Sequence, residues 1–198
     1  MRIEVFCVVA LDLHKKLSVL PHIPPLFLDF CTTHGTVHRY APKQFIYLSG
    51  DEPQKLFILL KGSVQLILAN EFVEKIYRVL KGPTIFPEVV LDGKPYVHSA
   101  YVIQESEVLA LELKSVQAVL AQNPELYQFF FKLLALDYRR ANRQIRNLAL
   151  GDARVRIGSK LYSLAHAHGR HTREGIEITI ALSTTELAGM CGLARESA

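Results

Sequence analysis

The chain has 198 residues, 49% hydrophobic and 21% charged, with a formal net charge of +4. That composition excludes a disordered or fibrous polypeptide, and the length allows one large domain or two small ones around a sizeable core. The apolar runs, such as Val5 to Leu11 between Glu4 and Asp12, fall far short of the roughly twenty residues of a membrane span.

Glu4 lies where a signal peptide would be basic, and no small-residue cleavage site follows, so a cytoplasmic protein with no membrane partner is expected. The charge is unevenly spread. Residues 1–123 carry 12 Lys+Arg against 12 Asp+Glu, and residues 124–198 carry 11 against 7. A neutral front and a basic back point the back toward a polyanion. Cys7, Cys31 and Cys191 are scattered and form no CxxC pair, so they are expected to be reduced and packed as small apolar residues.

Residues 1–13 carry no interpretable pattern. Residues 36–114 read as short strands: Phe45–Leu48, Leu56–Leu60, Val64–Leu68, Lys75–Leu80, Ser99–Ile103 and Val108–Leu113. Turn signals separate them at Ser49-Gly50-Asp51, Lys61-Gly62-Ser63, Ala69-Asn70, Lys81-Gly82-Pro83 and Asp92-Gly93-Lys94. Strands of this length and spacing predict a closed antiparallel barrel or roll.

Asn123-Pro124 is a helix-start signal. Tyr127, Phe131, Leu134, Tyr138, Ala141, Ile145 and Leu148 then recur at alternating gaps of four and three, a heptad seam. Arg139, Arg140, Arg143 and Arg146 occupy the other faces. A seam of this kind suits a helix paired with its own copy, or one packed on its own barrel. Gly151-Asp152 interrupts the pattern as a hinge would.

Arg154–His168 reads as a helix with Ile157, Leu161, Leu164 and Ala165 inward, and His166, His168 and His171 read as a solvated loop around Gly169 rather than a metal site. Ile176, Ile178 and Ile180 alternate like a strand. Ser183-Thr184-Thr185-Glu186 is a capping box ahead of a short helix with Leu187, Ala188 and Met190 on one face. Gly192 supplies a turn, and a second helix opens at Ala194-Arg195-Glu196. This is a helix-turn-helix pattern, expected to break off at Ala198. Its second helix would offer Arg195 to guanine and Glu196 to the cytosine amine of double-stranded DNA, with Ser183 and Thr184 at the start of the first helix.

A roll, a heptad helix, a hinge and a helix-turn-helix, in that order, resemble the catabolite-activator and fumarate-nitrate regulator (CRP/FNR) family of bacterial transcription regulators. The stretches that carry the resemblance are Ser49-Gly-Asp-Glu, Leu56-Phe-Ile-Leu-Leu-Lys-Gly-Ser-Val64, Asn123-Pro-Glu-Leu, Asn147-Leu-Ala, Leu182-Ser-Thr-Thr-Glu-Leu-Ala and Gly192-Leu-Ala-Arg-Glu-Ser. It implies an α+β fold: a cyclic-nucleotide-binding-type β-roll over 1–122, a dimerisation helix and hinge over 123–150, and a partial winged helix-turn-helix over 151–198. It also implies a homodimer joined through Leu134, Tyr138, Ala141, Ile145 and Leu148. A small-molecule effector would then be held by Glu88, His98, Ser99, Ala141 and Asn142, with Gly151-Asp152 as the hinge that re-poses the DNA-binding domains.

The sequence departs from the family where cyclic-nucleotide members hold phosphate. Their Gly-Glu pair and later Arg-Ser become Pro87-Glu88 and His98-Ser99. Proline lacks an N–H, and histidine, mostly neutral at pH 7, cannot make the bidentate arginine contact. Asn142 keeps an amide for a polar ligand, whereas Ala141 has none. An effector other than cyclic AMP is expected, of a smaller or more apolar kind.

No GxSxG, Walker A, HExxH or GxGxxG motif is present, so an enzyme is not expected. A metal-dependent jelly-roll enzyme would need clustered ligands inside the roll, but His34 and His38 precede it and His98 stands alone. The alternative to a DNA-binding regulator is a stand-alone sensor and dimerisation module.

Overall fold

The structure is a computed structural model that describes residues 12–71, 73–180 and 182–193. The expectations for Met1–Leu11, Cys7, Arg195 and Glu196 therefore lie outside the described residues. The chain divides into two compact units. The first comprises the described residues up to Leu68 with Arg78–Ala135; the second comprises Ala69–Tyr77 with the described residues from Leu136 onward.

The first unit opens with two helices that strand periodicity did not announce. α1 includes residues 12–17, and α2 spans Pro25–His34. Leu13 and Leu17 are buried, as are Phe27, Leu28 and Cys31 of α2. Pro25 suits the first turn of α2, where its missing N–H has no intrahelical partner to lose. Phe27 sets its ring edge-on to Phe130 at 5.1 Å and lies 6.0 Å from Phe129, which pins α2 to the start of the long helix.

Six strands follow, all in one antiparallel sheet: β1 (Thr36–Tyr40), β2 (Phe45–Tyr47), β3 (Lys55–Ala69), β4 (Glu74–Lys81), β5 (Thr84–Phe86) and β6 (Ser99–Glu112). The order is β1-β6-β3-β4, with β2 on β6 and β5 on β3. Two expected pairs of short strands are single long ones. Leu56–Leu60 and Val64–Leu68 merge into β3, and Ser99–Ile103 and the expected Val108–Leu113, as far as Glu112, merge into β6.

Lys61-Gly62-Ser63 is therefore not a turn but a bulge. The β3–β6 register runs from Lys55 opposite Glu112 to Ile67 opposite Ser99 and shifts between Leu59 and Val64. Gly62 has φ +98°, and a Cβ there would overlap Ser106 Oγ and the Glu105 carbonyl. A bulge with glycine at positive φ bends and twists the pair without ending it. β6 can then receive β1 along Ser106–Ala110 and β2 at Ala100–Tyr101, which curls the sheet into a roll. The core is aliphatic and aromatic, with Leu56, Ile58, Leu59, Val64, Phe86, Val102 and Leu109 fully enclosed.

Leu113 does not extend β6; it starts α3 (Leu113–Gln122). Leu113, Val116 and Leu120 are its buried face, a spacing of three and four that signals a helix but was masked by the preceding strand pattern. Asn123 closes α3, its Nδ2 donating to the Val119 carbonyl, and its own carbonyl accepts from Leu126 N–H as the next helix begins. That helix, α4, spans Glu125–Leu150 and passes from the first unit into the second.

In the second unit, α4 stops at Gly151 and Asp152 caps α5 (Ala153–His168), its Oδ1 accepting from Val155 N–H at 2.8 Å. Arg156 donates to the Gly151 and Leu148 carbonyls, each at 2.9 Å, so the expected hinge is a cornered joint with its exposed carbonyls satisfied. Two expectations on α5 are corrected. Leu161 is exposed, because it lies at the rim of the face that Ile157, Lys160, Leu164 and His168 share. His168 is buried at the end of α5 and is not part of a solvated loop.

β7 (Gly169–Thr172) and β8 (Gly175–Ile178) form a hairpin, closed on its surface by Arg170 and Glu177 at 2.6 Å. α6 (Thr184–Met190) has the expected capping box: Ser183 Oγ accepts from Glu186 N–H and Glu186 Oε2 accepts from Ser183 N–H. Ala188 and Met190 are buried, and Gly192 turns the chain at φ +65°.

Candidate functional site

The residues expected to meet an effector in the roll sit around one aromatic cluster. β2 delivers Tyr47, whose ring stacks on Tyr96 at 4.1 Å and on Phe57 at 5.6 Å. Phe86 lies 5.7 Å from Phe57. Three strands, β2, β3 and β5, and the loop before β6, which carries Tyr96, meet here. The Tyr47 hydroxyl lies 3.1 Å from His98 Nδ1.

Burial pushes the Tyr47 phenol well above its ordinary pKa, and nearby Tyr96 and Glu88 add to the shift. Tyr47 is therefore a neutral hydrogen-bonding group at any physiological pH. Glu88 opens a short 3-10 turn, Glu88–Asp92, and is itself buried, as is His98.

Ser99 is half-buried at the start of β6, and its Oγ accepts from Ser49 N–H at 3.0 Å. The Ser49-Gly50-Asp51 turn is tied to the same strand region elsewhere: Gly50 N–H donates to the Tyr96 carbonyl at 2.8 Å, and Tyr96 N–H to the Asp51 carbonyl at 3.1 Å. His98 and Ser99, both expected to contact an effector, are thus engaged with the protein itself. Tyr47, Phe57 and Tyr96 were not anticipated. No local motif marks them, since Tyr47 and His98 are 51 positions apart and only the β2–β6 pairing brings them together.

On α4, Ala141 is half-buried and Asn142 exposed, with the Asn142 amide donating to the Tyr138 carbonyl at 3.0 Å. The heptad seam lies open in the single chain: Phe131 is 70%, Tyr138 72% and Ile145 62% exposed, and Leu134 and Leu148 are also exposed. In the helix-turn-helix region, Ser183 is committed to the capping box and Thr184 is exposed.

A bulged antiparallel roll leading through a short helix into a long amphipathic one is the architecture of a cyclic-nucleotide-binding-type domain. The family model described as "Cyclic nucleotide-binding domain" matches residues 37–123. The transcriptional regulator LdrP of Thermus thermophilus is 32% identical over 162 residues, spanning 80% of this chain and 78% of the relative. The cAMP-activated global transcriptional regulator CRP of Pasteurella multocida is 28% identical over 91% of this chain and 87% of its own length. A solved structure of a CRP-family transcriptional regulator from Thermus thermophilus superposes with a TM-score of 0.63 at 30% identity, covering 81% of this chain and 79% of that one.

The chain belongs to the CRP/FNR family of transcription regulators. These relatives are regulators by name and not enzymes, and they lend no support to the alternative of a stand-alone sensor module. Among the described residues, no helix is long and apolar enough to cross a membrane.

Proposed function

We propose that this regulator works as a homodimer joined along α4, and that its roll answers to a small-molecule effector other than cyclic AMP. The observation that carries the effector reading is the state of His98 and Ser99. Where cyclic-nucleotide members of the family have an arginine, His98 offers no fixed cation, and its Nδ1 is paired with Tyr47. The Ser99 hydroxyl accepts from Ser49 N–H, and Pro87 brings no N–H to the segment. A phosphate entering here would have to break two internal contacts and would meet no guanidinium in return.

Glu88, His98 and Ser99 are proposed as the roll's effector residues. Ala141 and Asn142 are proposed on sequence position, Asn142 as the one with an amide to offer. Calorimetric titration with cyclic AMP tests the reading; submicromolar affinity would contradict it.

The dimer reading rests on the open seam. In heptad terms the residues facing each other across a parallel pair would be Tyr127, Phe131, Leu134, Tyr138, Ala141, Ile145 and Leu148. The flanking positions carry Gln128, Ala135, Asp137, Asn142 and Gln144, with no Lys or Arg. The helix is basic, yet its arginines lie on the outer positions, so two copies pair without like charges abutting. DNA contact is proposed for the helix-turn-helix, with Arg195 and Glu196 at base edges and Ser183 and Thr184 at the entry to α6.

A further inference from the structure

Arg139, Arg143 and Arg146 follow one another on α4 at spacings of four and three, and all three are exposed. At the helical repeat they fall within about 60° of one another around the axis, in a row about 10 Å long. Tyr138, Ala141, Ile145 and Leu148 lie on the opposite side of the same helix. Pairing α4 with its copy along that seam therefore leaves the row open to solvent.

The row has no acidic partner among the described residues. Asp137 is the one acidic residue of α4 from Leu136 onward, and its carboxylate pairs with Arg140, which lies off the row. Arg139, Arg143 and Arg146 make no ion pair or hydrogen bond with the described residues. Like charges at these spacings repel and weaken a helix, and an anion with charges spaced along it relieves the repulsion. Guanidinium forks match phosphate oxygens two at a time, and duplex DNA carries a charge about every 1.7 Å of its axis, so a row of this length meets several phosphates.

We propose that this row contacts the phosphate backbone of duplex DNA without regard to base sequence, as an anchor additional to the helix-turn-helix. The inference rests on the DNA-binding reading for its partner, but on residues other than Ser183, Thr184, Arg195 and Glu196. The test is fluorescence anisotropy of the full chain with a short labelled duplex of arbitrary sequence, repeated across salt concentrations.

Each phosphate contact contributes about 0.9 to the slope of log affinity against log salt, so Arg139→Gln/Arg143→Gln/Arg146→Gln should flatten that slope by about 2 to 3. Arg139→Lys/Arg143→Lys/Arg146→Lys keeps the charge and should keep most of the slope. Arg143→Gln alone, expected to flatten the slope by about 1, is the second variant should the triple one unfold. A flattened slope with Arg195→Gln indistinguishable from the parent would keep the row and count against Arg195 as a DNA contact. No binding by the parent chain, an unchanged slope in the folded glutamine variants, or loss of all binding in Arg195→Gln would overturn the proposal. Competition by polyglutamate as strong as that of unlabelled duplex would also overturn it, assigning the row to an acidic protein surface.

Discussion

The hydroxyl of Tyr47 and Nδ1 of His98 lie 3.1 Å apart inside the roll, both side chains buried. The contact explains how a histidine is held there. Its ring nitrogen has a partner that stays protonated, because burial drives the Tyr47 pKa well above its usual value.

Replacing His98 by arginine should restore a charge-assisted contact to phosphate. Such a bond is worth about 1.5–3 kcal/mol, or about ten- to a hundredfold in affinity. His98→Arg is therefore expected to bind cyclic AMP at least about tenfold more tightly than the parent chain in calorimetry. An unchanged affinity would mean that the roll excludes the nucleotide for another reason.

Tyr138→Glu/Ile145→Glu should convert dimers to monomers in sedimentation velocity. Burying two large apolar side chains contributes about 3–6 kcal/mol per chain, so the dissociation constant should rise by more than about a hundredfold. Variants that sediment as the parent does would place the interface elsewhere.

Gly62→Ala should destabilise the roll by about 2 kcal/mol or more in urea unfolding, since φ +98° is strained for any side chain and the new Cβ would meet Ser106 and Glu105. By contrast Gly93→Ala, also at positive φ but with open space around it, should cost only the conformational part, about 1 kcal/mol.

The α1–β6 contact should make stability fall in acid. Lys16 Nζ is 2.9 Å from Glu107 Oε2, and this hydrogen bond is the main cause that holds Glu107 below its ordinary pKa of 4.5. The unfolded chain then takes up the proton at higher pH than the native one. The stabilisation is complete above about 4.5 and is lost as pH falls through the lowered native value. Lys16→Met should cost at most about 1 kcal/mol at neutral pH, since the pair is partly exposed, and the deficit should shrink in acid when urea unfolding is compared across pH.

Ser183→Ala should loosen α6 by about 1 kcal/mol, read as faster hydrogen exchange at the Glu186 amide, because the capping box loses the oxygen that accepts from it.

How much of this was legible beforehand depends on the range over which each feature is decided. The heptad seam of α4 and the capping box at Ser183 and Glu186 are set by neighbours within one turn, and of the alternating Ile176, Ile178 and Ile180 the first two lie in β8. Residue type and spacing were enough to read them. That residue 87 brings no N–H and residue 98 no guanidinium is likewise a property of the residue types themselves.

Tertiary structure alone decided that Lys61-Gly62-Ser63 is a bulge and not a turn. The same local polarity serves either, and only pairing with Gln104–Glu107 selects between them. It also decided which partner His98 and Ser99 would find. Tyr47 and Ser49 reach them across about fifty positions, through strand pairing whose register no local periodicity encodes. Helical spacing can be read along the chain because its contacts are local; the wall of a roll cannot, because its neighbours come from strands distant in sequence.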